Sequence, residues 1–187
     1  MGAIEDFLTD CQHRMDASIE HTRTEFNTVR TGRASAALLD RITIDYYGTP
    51  TPLKNLATIG VPEARMLTVQ PFDQSQIRAV EKAIQESDLG LTPGNDGKLI
   101  RLPIPQLTEE RRKELVKLVR RYAEDGKVAI RNVRRDVMKH LEDLVKNGEV
   151  GDDEERRAEG AVQKLTDDHV KRIDEMLKNK EAEIMEV

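Results

Sequence analysis

The sequence has one cysteine and no tryptophan, and aromatic residues make up only 3% of its 187 residues. The single Cys11 excludes an intrachain disulfide and a cysteine-based zinc site, and its place on an apolar stripe predicts a buried structural thiol. No apolar run approaches the roughly 20 residues that span a bilayer, and the acidic start MGAIED is unlike a signal or transit peptide. We therefore expect a cytoplasmic protein with no membrane contact; an organellar protein whose targeting segment has been removed is the alternative.

The motifs of common catalytic and nucleotide-binding sites are also missing: the sequence has no H-E-x-x-H, P-loop, G-x-G-x-x-G or G-x-S-x-G. Its four histidines fall on three predicted helices: His13, His21, His140 and His169. His169 lies on an apolar stripe, which predicts packing rather than metal binding. Adjacent carboxylates such as Asp152 and Asp153 are typical of any solvated acidic helix. We predict that the chain is not an enzyme and uses no cofactor or metal.

Charged residues, in contrast, make up 35% of the chain, and one long amphipathic helix is predicted from Thr108 to Asn147. Pro103 and Pro105 disfavour helix before it, Thr108 suits the N-cap, and Gly148 suits the C-terminal end. About 40 residues at 1.5 Å each span on the order of 60 Å. The predicted apolar stripe, which other helices must cover, consists of Leu115, Val119, Tyr122, Ala129, Val133, Val137, Leu141 and Leu144.

Two more amphipathic helices are predicted on either side in the sequence. Residues 3–30 have apolar side chains at near-heptad spacing, and Gly32 is predicted to be the C-cap and chain reversal. A third helix is predicted to open at Asp152, with Glu155 completing a capping box. Because the apolar stripes suffice to cover one another, residues 1–30 and 106–187 predict an antiparallel, up-down-up three-helix bundle that is monomeric.

Residues 31–105 have a different pattern, which predicts a small β/α/β domain inserted into the bundle. Strands are expected at 42–47, 56–61, 66–69 and 99–102, and a short helix from Asp73 to Ser87. Pro50 and Pro52 predict a segment without regular structure. Two chain crossings restrict the inserted domain to swinging about one axis. The predicted hinge consists of Thr31, Gly32, Pro103, Ile104, Pro105 and Gln106.

The net charge of −5 hides a basic segment between acidic ones. Residues 108–147 contain 12 Lys and Arg against 8 Asp and Glu, whereas residues 149–187 contain 7 against 13. Five cations lie away from the apolar stripe of the long helix: Arg120, Lys127, Arg131, Arg134 and Arg135. Two interpretations remain open, because these side chains suit either ion pairs with flanking helices or a phosphate backbone.

Five strings resemble, in order and spacing over nearly the whole chain, those of bacterial ribosome recycling factors. They are RTGRAS at 30–35, YYGTPTPL at 46–53, DLGL at 88–91, LTEERRK at 107–113 and RNVRRD at 131–136. The resemblance implies an α+β, L-shaped protein that binds the post-termination 70S ribosome, mainly through large-subunit rRNA. With elongation factor G and GTP, such proteins split the ribosome into subunits and release mRNA and tRNA.

The resemblance also assigns residues to the expected rRNA contact. Arg131, Arg134 and Arg135 lie on the long helix, Arg30 and Arg33 lie at the hinge, and Lys127 is added because it lies on the same face. The alternative from another class is a helical adaptor or chaperone, which would expose an apolar surface or oligomerise. An enzyme is the third choice.

Overall fold

The computed structural model describes residues 2–186 and divides the chain into two compact units. One unit contains the residues up to 30 and from 109 onward, and the other contains residues 31–108. The first unit is helical, with α1 (Ala3–Asn27), α3 (Glu109–Lys146) and α4 (Asp152–Met185). The second contains the strands and the short α2 (Ile77–Glu86).

The long α3 has 38 residues, so the predicted helix is confirmed to within one residue at each end. Glu109 and Glu110 occupy its first turn, where the helix dipole favours negative charge. Gly148 ends the helix with φ +76°, a conformation that glycine adopts at little cost. The amides of Gly148 and Glu149 donate to the last-turn carbonyls of Val145 and Leu144, each at 3.0 Å.

The three long helices pack against one another in pairs, as an up-down-up bundle requires. Arg120 and Lys127 of α3 contact Glu181 and Asp174 of α4, so these two helices are antiparallel. Phe7 and Arg14 of α1 contact His140 and Asp136 of α3, so these two are antiparallel as well. Asp16 meets His169. The predicted bundle is confirmed.

The apolar stripe of α3 follows a different line in its middle from the predicted one. Tyr122 and Ala129 are only half-buried, whereas Ala123, Gly126 and Ile130 are buried. Gly126 lies where α1 and α4 approach α3 closely, because a Cβ there would overlap Thr22 Oγ1 and lie 2.9 Å from Ile173 Cδ1. Small residues carry little hydrophobic signal, so the pattern assigned the stripe to their larger neighbours.

The inserted unit contains two antiparallel sheets. The first pairs β1 (Thr43–Tyr46) with β2 (Thr49–Pro52). The second has the order β3-β4-β6-β5 and consists of β3 (Ala57–Glu63), β4 (Met66–Pro71), β5 (Gly94–Asn95) and β6 (Ile100–Pro103). One apolar core joins these sheets with α2: Leu39, Ile42, Ile44, Leu53, Ala57, Leu67, Val69, Ile77, Val80, Ile84, Ile100 and Leu102.

The expectation that Pro50 and Pro52 prevent regular structure is wrong, because both residues belong to β2. They alternate with Thr49 and Thr51, so the missing N–H groups fall on the side of the strand that faces away from β1. The connecting turn has Tyr47 at φ 50° and Gly48 at φ 83°, which is the two-residue type I′ geometry of a tight hairpin.

Three helix ends also differ from the sequence-based expectation. α1 ends at Asn27 with Thr28 as its C-cap, so Gly32 is not the cap, although its φ of +77° does mark a chain reversal. α4 has Gly151 as N-cap without a side-chain hydrogen bond, so the Asp152–Glu155 capping box is absent. α2 begins after a short 3₁₀ turn, where Asp73 Oδ1 accepts from the Ser75 amide at 3.0 Å.

Candidate nucleic-acid interface

Three of the five cations that lie away from the apolar stripe of α3 line its boundary with α4, and we call these three the ladder. Arg120, Lys127 and Arg134 recur every seven residues, about two helical turns, and therefore lie one above another. Arg120 Nε donates to Glu181 Oε1 at 2.6 Å, and Lys127 Nζ donates to Asp174 Oδ1 at 2.9 Å. Arg134 Nε donates to the neutral Gln163 Oε1 at 3.0 Å. The ladder thus changes from ion pairs to a neutral contact along the helix.

Among the predicted rRNA contacts, Lys127 is the one whose charge is most fully paired with acids of the bundle. Its side chain is only 18% exposed, and its ammonium also lies 3.6 Å from Glu124 Oε2. The hydrogen bond to Asp174 raises the pKa of Lys127 above its ordinary value. In the same way, the hydrogen bond to Glu181 raises the pKa of Arg120. For these two residues the structure supports the ion-pair interpretation.

The three arginines of RNVRRD differ from Lys127 in what surrounds them. Arg134 and Arg135 are exposed, and within residues 2–186 they donate only to amide oxygens, Arg135 to Asn132 Oδ1 at 3.1 Å. Arg131 is 55% exposed at its side chain and lies 3.7 Å from Glu124 Oε1, near the limit of an ion pair. Their charges therefore remain available to a partner in solution.

Asp136, the one acid within RNVRRD, is paired across the bundle. Arg14 Nη2 of α1 donates to Asp136 Oδ2 at 3.1 Å, so this carboxylate does not neutralise its neighbour Arg135. Sequence reasoning missed this contact. The clue available in the sequence is that Arg14 is one of only two basic residues among the first 29.

The structure places the two arginines near residue 30 in different units. Arg30 follows α1 and is exposed, and within residues 2–186 it makes no hydrogen bond or ion pair. Arg33 belongs to the inserted unit and is also exposed.

All six predicted hinge residues fall in the inserted unit. Pro103 pairs with Met66 in the sheet, and the amide of Ile104 donates to Arg65 O at 2.8 Å. Pro105 and Gln106 are exposed and have no regular structure. Thr31 and Gly32 are half-buried, and a Cβ on Gly32 would lie 3.2 Å from Leu107 Cγ. The two connecting segments therefore run beside each other.

The part of the chain that the structure describes has neither a membrane-spanning helix nor a metal-binding cluster. No helix within residues 2–186 combines the length and apolar character needed to cross a membrane. No group of three or more His, Cys, Asp or Glu side chains there could hold a metal ion.

The fold defines an α+β protein in which a small sheet domain is inserted into a long three-helix bundle. The sequence model of the ribosome recycling factor family matches residues 22–185. The chain belongs to the ribosome recycling factor family, and members of this family are translation factors.

Relatives match over nearly their whole length. The ribosome-recycling factor of Rubrobacter xylanophilus is 57% identical over 180 residues, which cover 96% of this chain and 97% of the relative. That of Synechocystis sp. is 56% identical over 180 residues, with 96% and 99% covered.

Solved structures agree with the fold. A solution structure of the ribosome recycling factor has a TM-score of 0.76 at 40% identity, and both chains are fully covered. A second match, with a TM-score of 0.63 at 43% identity and full coverage, comes from models of the T. thermophilus ribosome recycling factor and the E. coli elongation factor G bound to the E. coli post-termination complex.

Proposed function

We propose that the chain binds the post-termination ribosome and, with elongation factor G and GTP, splits it into subunits, so that mRNA and tRNA are released for a new round of initiation. Membership of the ribosome recycling factor family over nearly the whole chain carries this proposal. A matched recycling factor is bound, with elongation factor G, to the post-termination complex. The chain acts as a monomer, in the cytoplasm where ribosomes translate.

The bundle is the part that binds RNA, through Arg131, Arg134 and Arg135. Exposed guanidinium groups suit phosphate oxygens, which they can contact in a bidentate manner. Arg134 and Arg135 donate to amide oxygens, and Arg131 lies 3.7 Å from Glu124 Oε1, near the limit of an ion pair. Arg30 and Arg33 are proposed as further rRNA contacts, one on each side of the first segment that connects the bundle to the inserted domain. Lys127 contributes least, because two carboxylates already surround its ammonium.

The chain itself performs no chemistry in this proposal. Elongation factor G hydrolyses GTP, and the chain transmits the resulting force to the ribosome. The bundle stays anchored on rRNA while the inserted domain swings about the two connecting segments. Because Pro103 and Ile104 are tied to the sheet, the proposed pivot centres on Thr31 and Gly32 and on Pro105 and Gln106.

Light scattering of post-termination ribosomes mixed with the chain, elongation factor G and GTP tests the proposal. We expect a fall in scattering as subunits separate. A reversible disulfide that joins one cysteine in each unit, in a Cys11→Ala background, should leave ribosome binding intact but stop splitting until reductant is added. No splitting by the uncross-linked chain contradicts the function, and normal splitting by the cross-linked chain contradicts the hinge.

A further inference from the structure

A second set of cations on α3 lies on the side that faces directly away from the bundle core. We call it the outer row: Lys117, Arg121, Arg135, Lys139 and Lys146. At about 100° per residue, these side chains fall within a sector of roughly 40°, opposite the buried line through Val119 and Gly126. All five residues are exposed.

The outer row differs from the ladder because no acid engages it. Within residues 2–186, none of its five members forms an ion pair. Arg135 donates to the amide of Asn132, and the guanidinium of Arg121 lies 5.9 Å from the Tyr122 ring centroid. These contacts leave the positive charges uncompensated.

Two acids beside the outer row on α3 are already paired with other cations. Such a carboxylate is partly neutralised, so it weakens the positive potential of the outer row less than a free one would. The pairs are Glu114–Arg111 at 2.9 Å and Glu124–Lys127 at 3.6 Å. Glu110 and Glu142, on the same side of α3, form no ion pair within residues 2–186.

We propose that the outer row is a phosphate-binding ridge that extends the RNA contact along most of α3, well beyond Arg131–Arg135. From Lys117 to Lys146 the ridge is about 40 Å long, at 1.5 Å per residue. It contains two cation pairs four residues apart, Lys117 with Arg121 and Arg135 with Lys139. A separation of roughly 20 Å between the pairs lets each contact a different stretch of RNA backbone. The inference rests on the proposed function.

RNA suits this ridge better than a membrane surface does. A helix that lies on a membrane inserts a broad apolar face, whereas the apolar face of α3 is buried in the bundle. The outward side of α3 presents one exposed large hydrophobic residue, Val128, which is 45% exposed. A linear row of unpaired cations on a rigid helix is typical of contact with a polyanionic backbone.

The test is a triple variant, Lys117→Gln with Arg121→Gln and Lys139→Gln, in equilibrium binding to isolated large ribosomal subunits. Arg131, Arg134 and Arg135 remain unchanged in this variant. We expect the Kd to rise by roughly a thousandfold, because three charge-assisted contacts, each worth about tenfold or more, are lost. The slope of log K against log salt should become shallower by about 2, since fewer counterions are released. Helical circular dichroism should be unchanged.

The matched control removes the same three charges from α4, with Lys164→Gln, Lys171→Gln and Lys178→Gln at exposed positions. We expect this control to bind with the wild-type Kd and salt slope. Equal losses in both variants would mean that net charge alone matters, and this result overturns the ridge. Wild-type binding by the outer-row variant overturns it too.

The remaining outcomes separate the ridge from the function on which it rests. If the wild-type chain fails to bind large subunits at all, the proposed function fails, and the ridge fails with it. If the wild-type chain binds ribosomes but the outer-row variant loses only its retention on phosphatidylserine vesicles, the RNA assignment of the ridge is wrong.

Discussion

Gly126 is the residue on which the close packing of the three long helices depends. An added methyl group would overlap Thr22 Oγ1, and the Thr22 hydroxyl is already engaged with the carbonyl of Ser18 at 2.9 Å. Ile173 Cδ1 closes the other side at 2.9 Å. Because both neighbours, Thr22 and Ile173, are buried in the packed interior, the space cannot open without moving a helix.

Gly126→Ala should therefore lower the free energy of unfolding by about 1–3 kcal/mol through overpacking. It should do so although alanine favours helix over glycine by about 1 kcal/mol. Gly160→Ala is the control, because Gly160 lies within α4 and a Cβ there meets nothing within 4 Å. The control should raise stability by about 0.5–1 kcal/mol. Urea unfolding measures both, and stabilisation by Gly126→Ala would contradict the described packing.

Single residues were also where the sequence was least informative. The hydrophobic pattern marks large apolar side chains, so it selected Tyr122 and Ala129 and passed over Gly126, which is buried by helix approach rather than by its own side chain. Whether a cation is free is equally invisible in the sequence. Lys127 and Arg134 lie on the same row, yet one meets Asp174 and the other Gln163.

At the scale of elements, α1 and α4 are joined by a polar cluster around Asp16. His169 is buried, and its Nδ1 and Nε2 lie 2.6 Å from Leu165 O and 2.7 Å from Asp16 Oδ1. Arg172 Nη1 donates to the same carboxylate at 3.2 Å. The hydrogen bond with His169 is the main cause that lowers the pKa of Asp16 below its usual value.

Because the folded-state pKa of Asp16 is lowered, its contribution to stability is present above the ordinary carboxyl pKa and is lost as pH falls through the lowered one. Asp16→Asn should cost about 1 kcal/mol near neutral pH, since the carboxylate is 42% exposed and partly screened. The difference from wild type should shrink below about pH 4. Asp10→Asn, the control, makes the same charge change at an exposed position of α1. Chemical denaturation between pH 2.5 and 7 checks this, and a pH-independent difference would contradict it.

Elements whose signals are local were predictable from the sequence. The ends of α3 follow from Thr108 and Gly148, and both were located to within a residue. β2 was not predictable in this way, because the strand exists only through its pairing with β1, and the alternation of Pro50 and Pro52 becomes meaningful only in that register.

For the molecule as a whole, the distribution of charge matters more than its sum. A chain with a net charge of −5 would be repelled by RNA if its charges were spread evenly. Its acids instead concentrate in the first and last parts of the chain, and three of them, Asp16, Asp174 and Glu181, pair with cations across the bundle. The structure thereby leaves the arginines of RNVRRD and the outer row facing outward on α3.

The most direct test of this account is the binding of wild type and Arg134→Gln to large ribosomal subunits, measured over a range of salt concentrations. We expect Arg134→Gln to weaken binding roughly ten- to a hundredfold and to reduce the salt slope by about one phosphate contact. Its melting temperature should hardly change, because Arg134 is exposed and its hydrogen bond goes to the neutral side chain of Gln163. If the variant binds with wild-type affinity and the wild-type salt dependence, the claim that this face of α3 binds RNA is contradicted.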